Sequence, residues 1–401
     1  MLSLLALGVN GIVGVGIFFT PNKIAALAPG WSSVAVIGVT GIALLPVALA
    51  VSTIGSRFRE DGGPVLYARA AFGELAGFVV GWLAYVAALF SMGSVMTGFM
   101  SAVLPFGELG AHVSAVVLLT ILSLVAATGI HVSAAVWNTL TVLKLLPLAA
   151  LAIAASFVHS KTSSPVTTDW HAVHWGRAAL TAVFVFQGFE IVPVLAGQAR
   201  DTARTIPIAV VGSLALSTVL YLFLQRGAVT GIADLAGSPA PLVAMGDAFG
   251  GKGFGRLVSI GTSVSAMGIC FGMVATTPRF LSALVPKTRF GVANARGVPL
   301  AALGATWLLV AILISLGSLG QLLALSSLSV VMQYLLVALA LVKFALKRER
   351  DLRPIDAWSA FPTIAVALVL VSGAERGEWS VAAGSIALSC VIYFAIRKRI
   401  A

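Results

Sequence analysis

Two ionisable side chains stand deep inside long apolar stretches of the sequence. Lys144 lies about ten residues into the stretch 134–158, roughly 15 Å from its nearer end at helical rise. A lysine side chain cannot reach the membrane surface over that distance, so we expect Lys144 to face a cavity or a partner. It is a candidate proton carrier, or a fixed ammonium in the place of a metal cation. Glu190 lies about twelve residues into the stretch 178–197 and is either a proton-binding group or a structural hydrogen-bond acceptor.

The backbone of the first apolar stretch, 2–19, is a second candidate for chemistry. The stretch contains four glycines, among them Gly14 and Gly16 on either side of Val15, and Pro21 follows it. Each glycine costs a helix about 0.5–1 kcal/mol relative to alanine, so we expect the helix to break there. A break exposes N–H and C=O groups, which a membrane tolerates only inside protein or beside a wet cavity. The glycines therefore indicate a binding site, or they only let another helix approach closely.

The composition indicates a membrane protein that crosses the bilayer many times. Hydrophobic residues make up 59% of the 401 residues and charged residues only 10%, against roughly 25% in soluble domains. Cys270 and Cys390 both lie in apolar stretches and are interpreted as small core residues rather than a disulfide or a metal site. No dinucleotide fold, metal site or nucleophile–base arrangement is indicated, so we expect no enzyme activity and no cofactor.

Twelve apolar stretches are predicted to be membrane-spanning helices, since most contain about 18 residues or more. They are 2–19, 33–56, 75–104, 112–129, 134–158, 178–197, 206–226, 254–283, 299–316, 319–345, 355–372 and 380–396. With the N-terminus in the cytoplasm, 17 Lys and Arg residues lie on inner loops and seven on outer ones. This asymmetry predicts that both termini are cytoplasmic. It also explains the net charge of +11 without any nucleic-acid partner, leaving attraction to membrane lipid.

The order of the stretches suggests an inverted repeat within a single transporter domain, 1–401. The sixth stretch has its own helix-breaking centre, with Gln187, Gly188 and Pro193 around Glu190. Five spans begin at each interrupted stretch, giving repeats of about 1–158 and 178–345 and two additional helices in 355–396. Interrupted helices at matching positions of two inverted halves are typical of a transporter binding site.

Several motifs in the same order resemble the amino acid–polyamine–organocation superfamily of transporters. The first span ends G-V-G-I-F-F-T-P, the residues after span two read G-G-P-V-L-Y with a later G-F-V-V-G-W, and the sixth span contains F-V-F-Q-G-F-E. Span five has lysine and proline in the family's order, in V-L-K-L-L-P, and R-D-T-A-R-T-I-P-I-A and T-P-R-F-L-S-A-L follow later. The resemblance covers nearly the whole chain.

The resemblance implies twelve helices in a five-plus-five inverted repeat, with helices one and six discontinuous. It implies an amino acid held at the two breaks, and a lysine where sodium sits in sodium-coupled relatives, which is Lys144 here. Phe184 would cover the substrate as a gate. Val15 departs from the family's serine, and Gln187 is polar where many members are apolar. The implied binding residues are Ile12, Val13, Gly14, Val15, Gly16, Phe184, Gln187 and Gly188, and the implied coupling residues are Lys144 and Glu190.

The sequence therefore predicts a secondary transporter of amino acids in the cell membrane, sodium-independent, and coupled to protons or to exchange. Only Glu190 is acidic deep in the membrane, so we expect a neutral substrate with an apolar side chain. Candidate pocket-lining residues are Ser91, Met92, Met96, Ser263, Ser265, Ser326 and Ser327. The alternative is a non-transporting membrane subunit or an amino acid receptor with the same fold. The oligomeric state is left open.

Overall fold

The polypeptide is helical along most of its length, and its described residues contain no β-strand. The computed structural model describes residues 2–14, 16–58, 60, 62–104, 107–129, 134–157, 168–198 and 202–400. The all-helical architecture follows from the apolar composition, because a helix satisfies its own backbone N–H and C=O groups inside a bilayer.

The first half of the chain contains eight α-helices within the described ranges. In order they are α1 (Leu2–Ile12), α2 (Gly16–Leu27), α3 (Trp31–Ala43), α4 (Leu45–Gly55), α5 (Gly63–Phe72), α6 (Glu74–Val103), α7 (Gly107–Ala127) and α8 (Ala134–Phe157). α3 and α4 together form one apolar span of 25 residues. α6 is 30 residues long, about 45 Å at helical rise, and must therefore tilt to fit a hydrocarbon core of about 30 Å.

The second half, as described, adds seven α-helices and three short 3₁₀ segments. The α-helices are α9 (Trp175–Phe186), α10 (Thr202–Gly231), α11 (Pro241–Leu284), α12 (Leu300–Leu316), α13 (Leu319–Lys347), α14 (Ala360–Ser372) and α15 (Arg376–Ile400). The 3₁₀ segments are Phe189–Gln198, Glu349–Asp351 and Pro354–Ala357. α11 begins earlier than the predicted eighth span, because a second helical piece precedes a bend at Gly251.

Eight helical segments in the described ranges are long and apolar enough to cross a membrane, whereas the sequence predicts twelve spans. The first and sixth predicted spans are each divided into two pieces of 12 residues or fewer. The ninth, α12, has 17 residues. In the fifth, residues 145–157 form a shorter apolar helical stretch. The apolar composition and the lengths of these helices identify the protein as a polytopic membrane protein.

The centre and the periphery of the bundle differ in how much of each helix is buried. α6 and α13 pack against each other at the centre, and 72% of an apolar 18-residue stretch of α13 is buried. Only 11% of an apolar stretch of the same length in α15 is buried. α15 leaves Leu388, Val391 and Phe394 exposed, and such apolar faces are suited to contact with lipid tails.

The four pieces of the interrupted spans lie close to one another around this centre. α1 packs against α10 and against the 3₁₀ segment Phe189–Gln198, while α2 packs against α9. α9 also contacts α13. The helix packing therefore brings the two interruptions together.

A buried ion pair connects the start of α9 to the C-terminal helices. One guanidinium nitrogen of Arg177, Nη1, lies 2.8 and 2.6 Å from the two carboxylate oxygens of Glu378 at the start of α15. The Glu378 side chain is only 4% exposed, and Arg177 also lies 3.6 Å from Glu375. Gly176 and Gly373 allow their backbones to touch beside this pair, since a Cβ atom on Gly373 would lie on the Gly176 carbonyl.

Candidate functional site

The first interruption separates α1, which ends at Ile12, from α2, which begins at Gly16. The Val13 amide donates to the Val9 carbonyl at 2.7 Å, and the Gly14 amide turns back to the Ile12 carbonyl at 2.7 Å. The hydroxyl of Tyr221, on α10, also donates to the Ile12 carbonyl at 2.9 Å. These three hydrogen bonds hold the end of α1 and leave the first turn of α2 as the free helix terminus.

The start of α2 provides unpaired donors by its geometry alone. The first amides of an α-helix, here from Gly16 onward, have no acceptor within the helix. The helix dipole makes this terminus favourable for an anion, and α2 has no acidic residue in its first turn. Val13 and Gly14 are also among the binding residues that the resemblance implies, but their amides already donate within the turn. Val15 lies outside the described residues.

The second interruption follows α9 and depends on a glycine. Gln187 has an extended backbone (ψ 143°), and Gly188 has φ +127°, a conformation that other residues rarely adopt. The chain then continues as the 3₁₀ segment Phe189–Gln198, which contains Pro193. In a continuous helix the Gly188 amide would donate to the Phe184 carbonyl. It donates instead to the Glu190 carboxylate at 2.9 Å, which frees the Phe184 carbonyl from its helical partner.

The two interruptions touch each other through glycine backbone. A Cβ atom on Gly188 would lie 2.3 Å from the carbonyl carbon of Gly11, and one on Gly11 would lie 3.0 Å from the Gly188 carbonyl oxygen. Side chains at either position would force the two chains apart. Gly11 remains exposed, and Gly14 and Gln187 remain partly exposed, so the contact is not sealed on all sides.

Phe184 covers the start of α2. Its ring lies so close to Gly16 that a Cβ atom there would be 3.1 Å from the ring carbon Cε1. The Phe184 side chain is 7% exposed. The ring therefore lies against the free helix terminus, in the place where a gate over that terminus would have to be.

A group of hydroxyl side chains surrounds the side chain of Gln187. Ser326 Oγ donates to Gln187 Oε1 at 3.2 Å, and Gln187 Nε2 donates to Ser327 Oγ at 3.4 Å. Ser91 on α6 lies 2.6 Å from Ser326. We call Gln187, Ser91, Ser326 and Ser327 the amide–serine cluster. It brings three of the predicted pocket residues to the second interruption.

Glu190 occupies the turn rather than an open cavity. Its Oε2 atom accepts hydrogen bonds from the Gly188 amide and, at 3.2 Å, from the hydroxyl of Tyr334 on α13. The Phe189 and Tyr334 rings stack with their centroids 5.5 Å apart. This geometry matches the structural alternative for Glu190, an acceptor that stabilises the interrupted helix.

The other predicted residues are placed less closely around the interruptions. Lys144 belongs to α8, which packs against α10 and α11, and its side chain lies outside the described part of the structure. Met92, Met96 and Ser265 are buried. Ser263 lines an open crevice that encloses about 20 Å³ and also borders Phe18 in the first turn of α2.

Tyr221 and Tyr334 are the two residues of this site that the sequence analysis missed. Each is buried and each donates its hydroxyl to an atom of an interruption. A buried tyrosine needs a partner for its hydroxyl, so a tyrosine inside an apolar span is the feature that could have indicated them. Among the described residues, no three His, Cys, Asp or Glu side chains lie together as a metal site would require.

Comparison with known proteins finds a matching family model and several related transporters. The family model described as amino acid permease matches residues 1–396. The serine/threonine exchanger SteT of Bacillus subtilis is 24% identical over 87% of this chain and 83% of its own length. The glutamate/serine transporter AimA of the same organism is 29% identical over 56% of this chain and 45% of its own length. The human cationic amino acid transporter 4 is 24% identical over 85% of this chain and 58% of its own length.

The match to the family model covers nearly the entire sequence, including both interrupted helices and the helices that pack against them. The chain therefore belongs to the amino acid permease family, within the amino acid–polyamine–organocation superfamily.

Proposed function

We propose that this permease is a secondary active transporter that moves a neutral amino acid across the cell membrane by alternating access. The proposal includes twelve spans in two inverted five-helix repeats, about 1–158 and 178–345, with two further helices and both termini in the cytoplasm. The observation that supports it most is the contact between the two helix interruptions at Gly11 and Gly188. Irregular backbone at membrane depth is tolerated where it lines a site, and interrupted helix pairs are where transporters bind substrate.

The substrate carboxylate is proposed to bind the first-turn amides of α2. The amide of Gly16 and those that follow are the donors that remain, because Val13 and Gly14 donate within the turn. Several N–H groups at a positive helix end recognise a carboxylate well. Since this contact uses backbone, it serves any α-amino acid.

The substrate ammonium is proposed to bind carbonyls at the end of α9. The Phe184 carbonyl has lost its helical donor to Glu190, and the next carbonyls lie at the helix end. Ile12 is also among the binding residues that the resemblance implies, but its carbonyl already accepts from Gly14 and Tyr221 and is a weaker candidate. The ammonium would therefore lie on the Phe184 side of the site, below the ring that serves as gate.

The amide–serine cluster is proposed to face the substrate side chain. Its members are uncharged, which favours a neutral side chain over a cationic or anionic one. The sequence favours an apolar side chain. The hydroxyls of the cluster, and the similarity to a serine/threonine exchanger, add serine and threonine to the candidates.

We propose sodium independence because Lys144 matches the position that sodium occupies in sodium-coupled relatives. Transport would then be coupled to protons or to exchange. Uptake of labelled serine, alanine and leucine into proteoliposomes tests transport and coupling together. We expect uptake that is unchanged when sodium is replaced by choline. Internal unlabelled amino acid should accelerate uptake if the protein is an exchanger, and an inward proton gradient should do so if it is a proton symporter.

The same experiment can contradict the proposal. Binding of an amino acid in a thermal-shift assay without flux under either gradient would favour the receptor or subunit alternative. A strict sodium requirement would remove the role proposed for Lys144. Uptake of arginine or glutamate in preference to neutral amino acids would remove the role proposed for the amide–serine cluster.

A further inference from the structure

An apolar crevice lies between α7, α11 and α12, away from both interrupted helices. It is open to its surroundings, and the space that it encloses is about 30 Å³. Its walls are formed by apolar residues such as Ala126, Val274, Ala275 and Leu303, and the charged group in its lining is Arg279. None of its lining residues belongs to α1, α2 or α9, so it is separate from the proposed amino acid site.

A second guanidinium borders the same crevice. The Arg296 side chain packs on Gly129, which also lines the crevice, because a Cβ atom on Gly129 would lie 2.8 Å from Arg296 Cβ. Arg296 Nη1 donates to the Thr128 carbonyl at 3.3 Å at the end of α7. An arginine has five N–H donors, so this bond orients the group and leaves donors for another ligand.

The positive charge at this end of the bundle has no acidic counterpart close in sequence. Between Asp247 and Glu349 the chain contains no Asp or Glu, while the loop between α11 and α12 adds Lys287 and Arg289. Both loop residues are exposed. Glu74, the acidic residue at the same end of the neighbouring α6, forms its own ion pair with Arg69 at 3.1 Å.

An apolar groove with two guanidiniums at its mouth matches a ligand with an apolar body and an anionic head. We propose that this crevice is a binding site for an anionic phospholipid. One acyl chain lies against the walls of α7, α11 and α12, and the phosphate meets Arg279 and Arg296. Basic pockets between transmembrane helices bind such headgroups, and arginine matches phosphate geometry with paired donors.

Lipid binding to the purified full-length protein tests this site. Native mass spectrometry in detergent compares phosphatidylglycerol with phosphatidylcholine of the same acyl chains. We expect the wild type to prefer phosphatidylglycerol, and the double variant Arg279→Gln, Arg296→Gln to lose about 25-fold in affinity for it, roughly fivefold for each guanidinium.

The matched control is the double variant Lys252→Gln, Arg256→Gln. It removes the same amount of charge near the other end of α11, with Arg256 about 35 Å from Arg279 at helical rise, and its affinity should stay at the wild-type value. Equal losses in the two double variants would overturn the site in favour of general charge attraction.

Two further measurements separate the lipid from its headgroup. The Ala275→Phe variant narrows the crevice while both arginines remain, so it should weaken phosphatidylglycerol binding at an unchanged lipid-free melting temperature. Unchanged binding by that variant would overturn the acyl-chain contact. Inorganic phosphate at millimolar concentration should leave phosphatidylglycerol binding unaffected, and full competition by phosphate would identify a free-anion site instead.

Discussion

The two helix interruptions are stabilised by different parts of the protein. At the first, two hydrogen bonds lie within the backbone of residues 9–14, and a third comes from the hydroxyl of Tyr221 on another helix. At the second, the hydrogen bonds are made by side chains. The Glu190 carboxylate accepts from the Gly188 amide and from the Tyr334 hydroxyl. In the proposed function, the first interruption would therefore offer groups that every amino acid can use, whereas the side chains around the second would distinguish one substrate from another.

This difference predicts which substitutions abolish transport and which only alter preference. The largest effect is expected where the two interruptions touch. Gly188→Ala places a methyl group on the Gly11 backbone and imposes φ +127° on a residue with a Cβ atom. Such strain costs of order 1–3 kcal/mol before any steric overlap, so we expect uptake to fall by about 100-fold or more.

Proteoliposome uptake at equal protein content measures the loss in Gly188→Ala. Gly304→Ala in α12 is the matched control, because a Cβ atom at Gly304 meets nothing within 4 Å. Uptake by Gly188→Ala close to that of Gly304→Ala would show that the contact between the interruptions is not required.

Glu190 allows its two suggested roles to be separated. Glu190→Ala leaves the Gly188 amide without its acceptor, which costs about 1–3 kcal/mol and should reduce uptake by roughly tenfold to 100-fold. Glu190→Gln keeps an oxygen acceptor, so its uptake should fall by about fivefold at most. If Glu190 instead transfers a proton, the glutamine variant will lose all response to a pH gradient while counterflow exchange continues.

The tyrosine pair compares the two interruptions directly. Tyr221→Phe removes one hydrogen bond to the Ile12 carbonyl, worth about 1 kcal/mol, and should lower uptake of all substrates equally, by about fivefold. Tyr334→Phe is the matched change at the second interruption. A change in the ratio of serine to leucine uptake in Tyr221→Phe would contradict the assignment of the first interruption to groups common to all amino acids.

The smallest effect is expected in the amide–serine cluster. Ser326→Ala removes a hydroxyl between Ser91 and Gln187 without disturbing the backbone. We expect the ratio of serine to alanine uptake to change by about threefold, with total alanine uptake nearly constant. An unchanged ratio would place the substrate side chain elsewhere, and the crevice beside Ser263 would be the next candidate.

The sequence located the interruptions because their causes are local. Gly14, Gly16 and Gly188 weaken a helix wherever they occur in it, and the structure interrupts the helix at both places. All-helical architecture was likewise predictable from apolar stretches of about 18 residues or more. The hydrogen bonds that the Val13 and Gly14 amides donate within the turn were not predictable, because hydropathy does not specify the path of a turn of a few residues.

Contacts between distant parts of the chain were beyond prediction from one sequence. Tyr221 reaches Ile12 across 209 residues, and Tyr334 reaches Glu190 across 144 residues. No periodicity in either helix indicates which hydroxyl meets which interruption. The same holds for the amide–serine cluster. Ser91 and Ser326 were candidates as polar residues in apolar spans, but the hydrogen bonds from Ser91 to Ser326 and from Ser326 to Gln187 depend on how the helices pack.

The ion pair between Arg177 and Glu378 has a consequence for how the N-terminal part of α9 can move. Because Glu378 is almost completely buried, tilting α9 without α15 would leave a charge stranded away from water. If α9 tilts in the proposed transport cycle, α14 and α15 would have to move with it, and this movement would displace a lipid-facing surface. The thickness of the surrounding bilayer would then change the energy of that step.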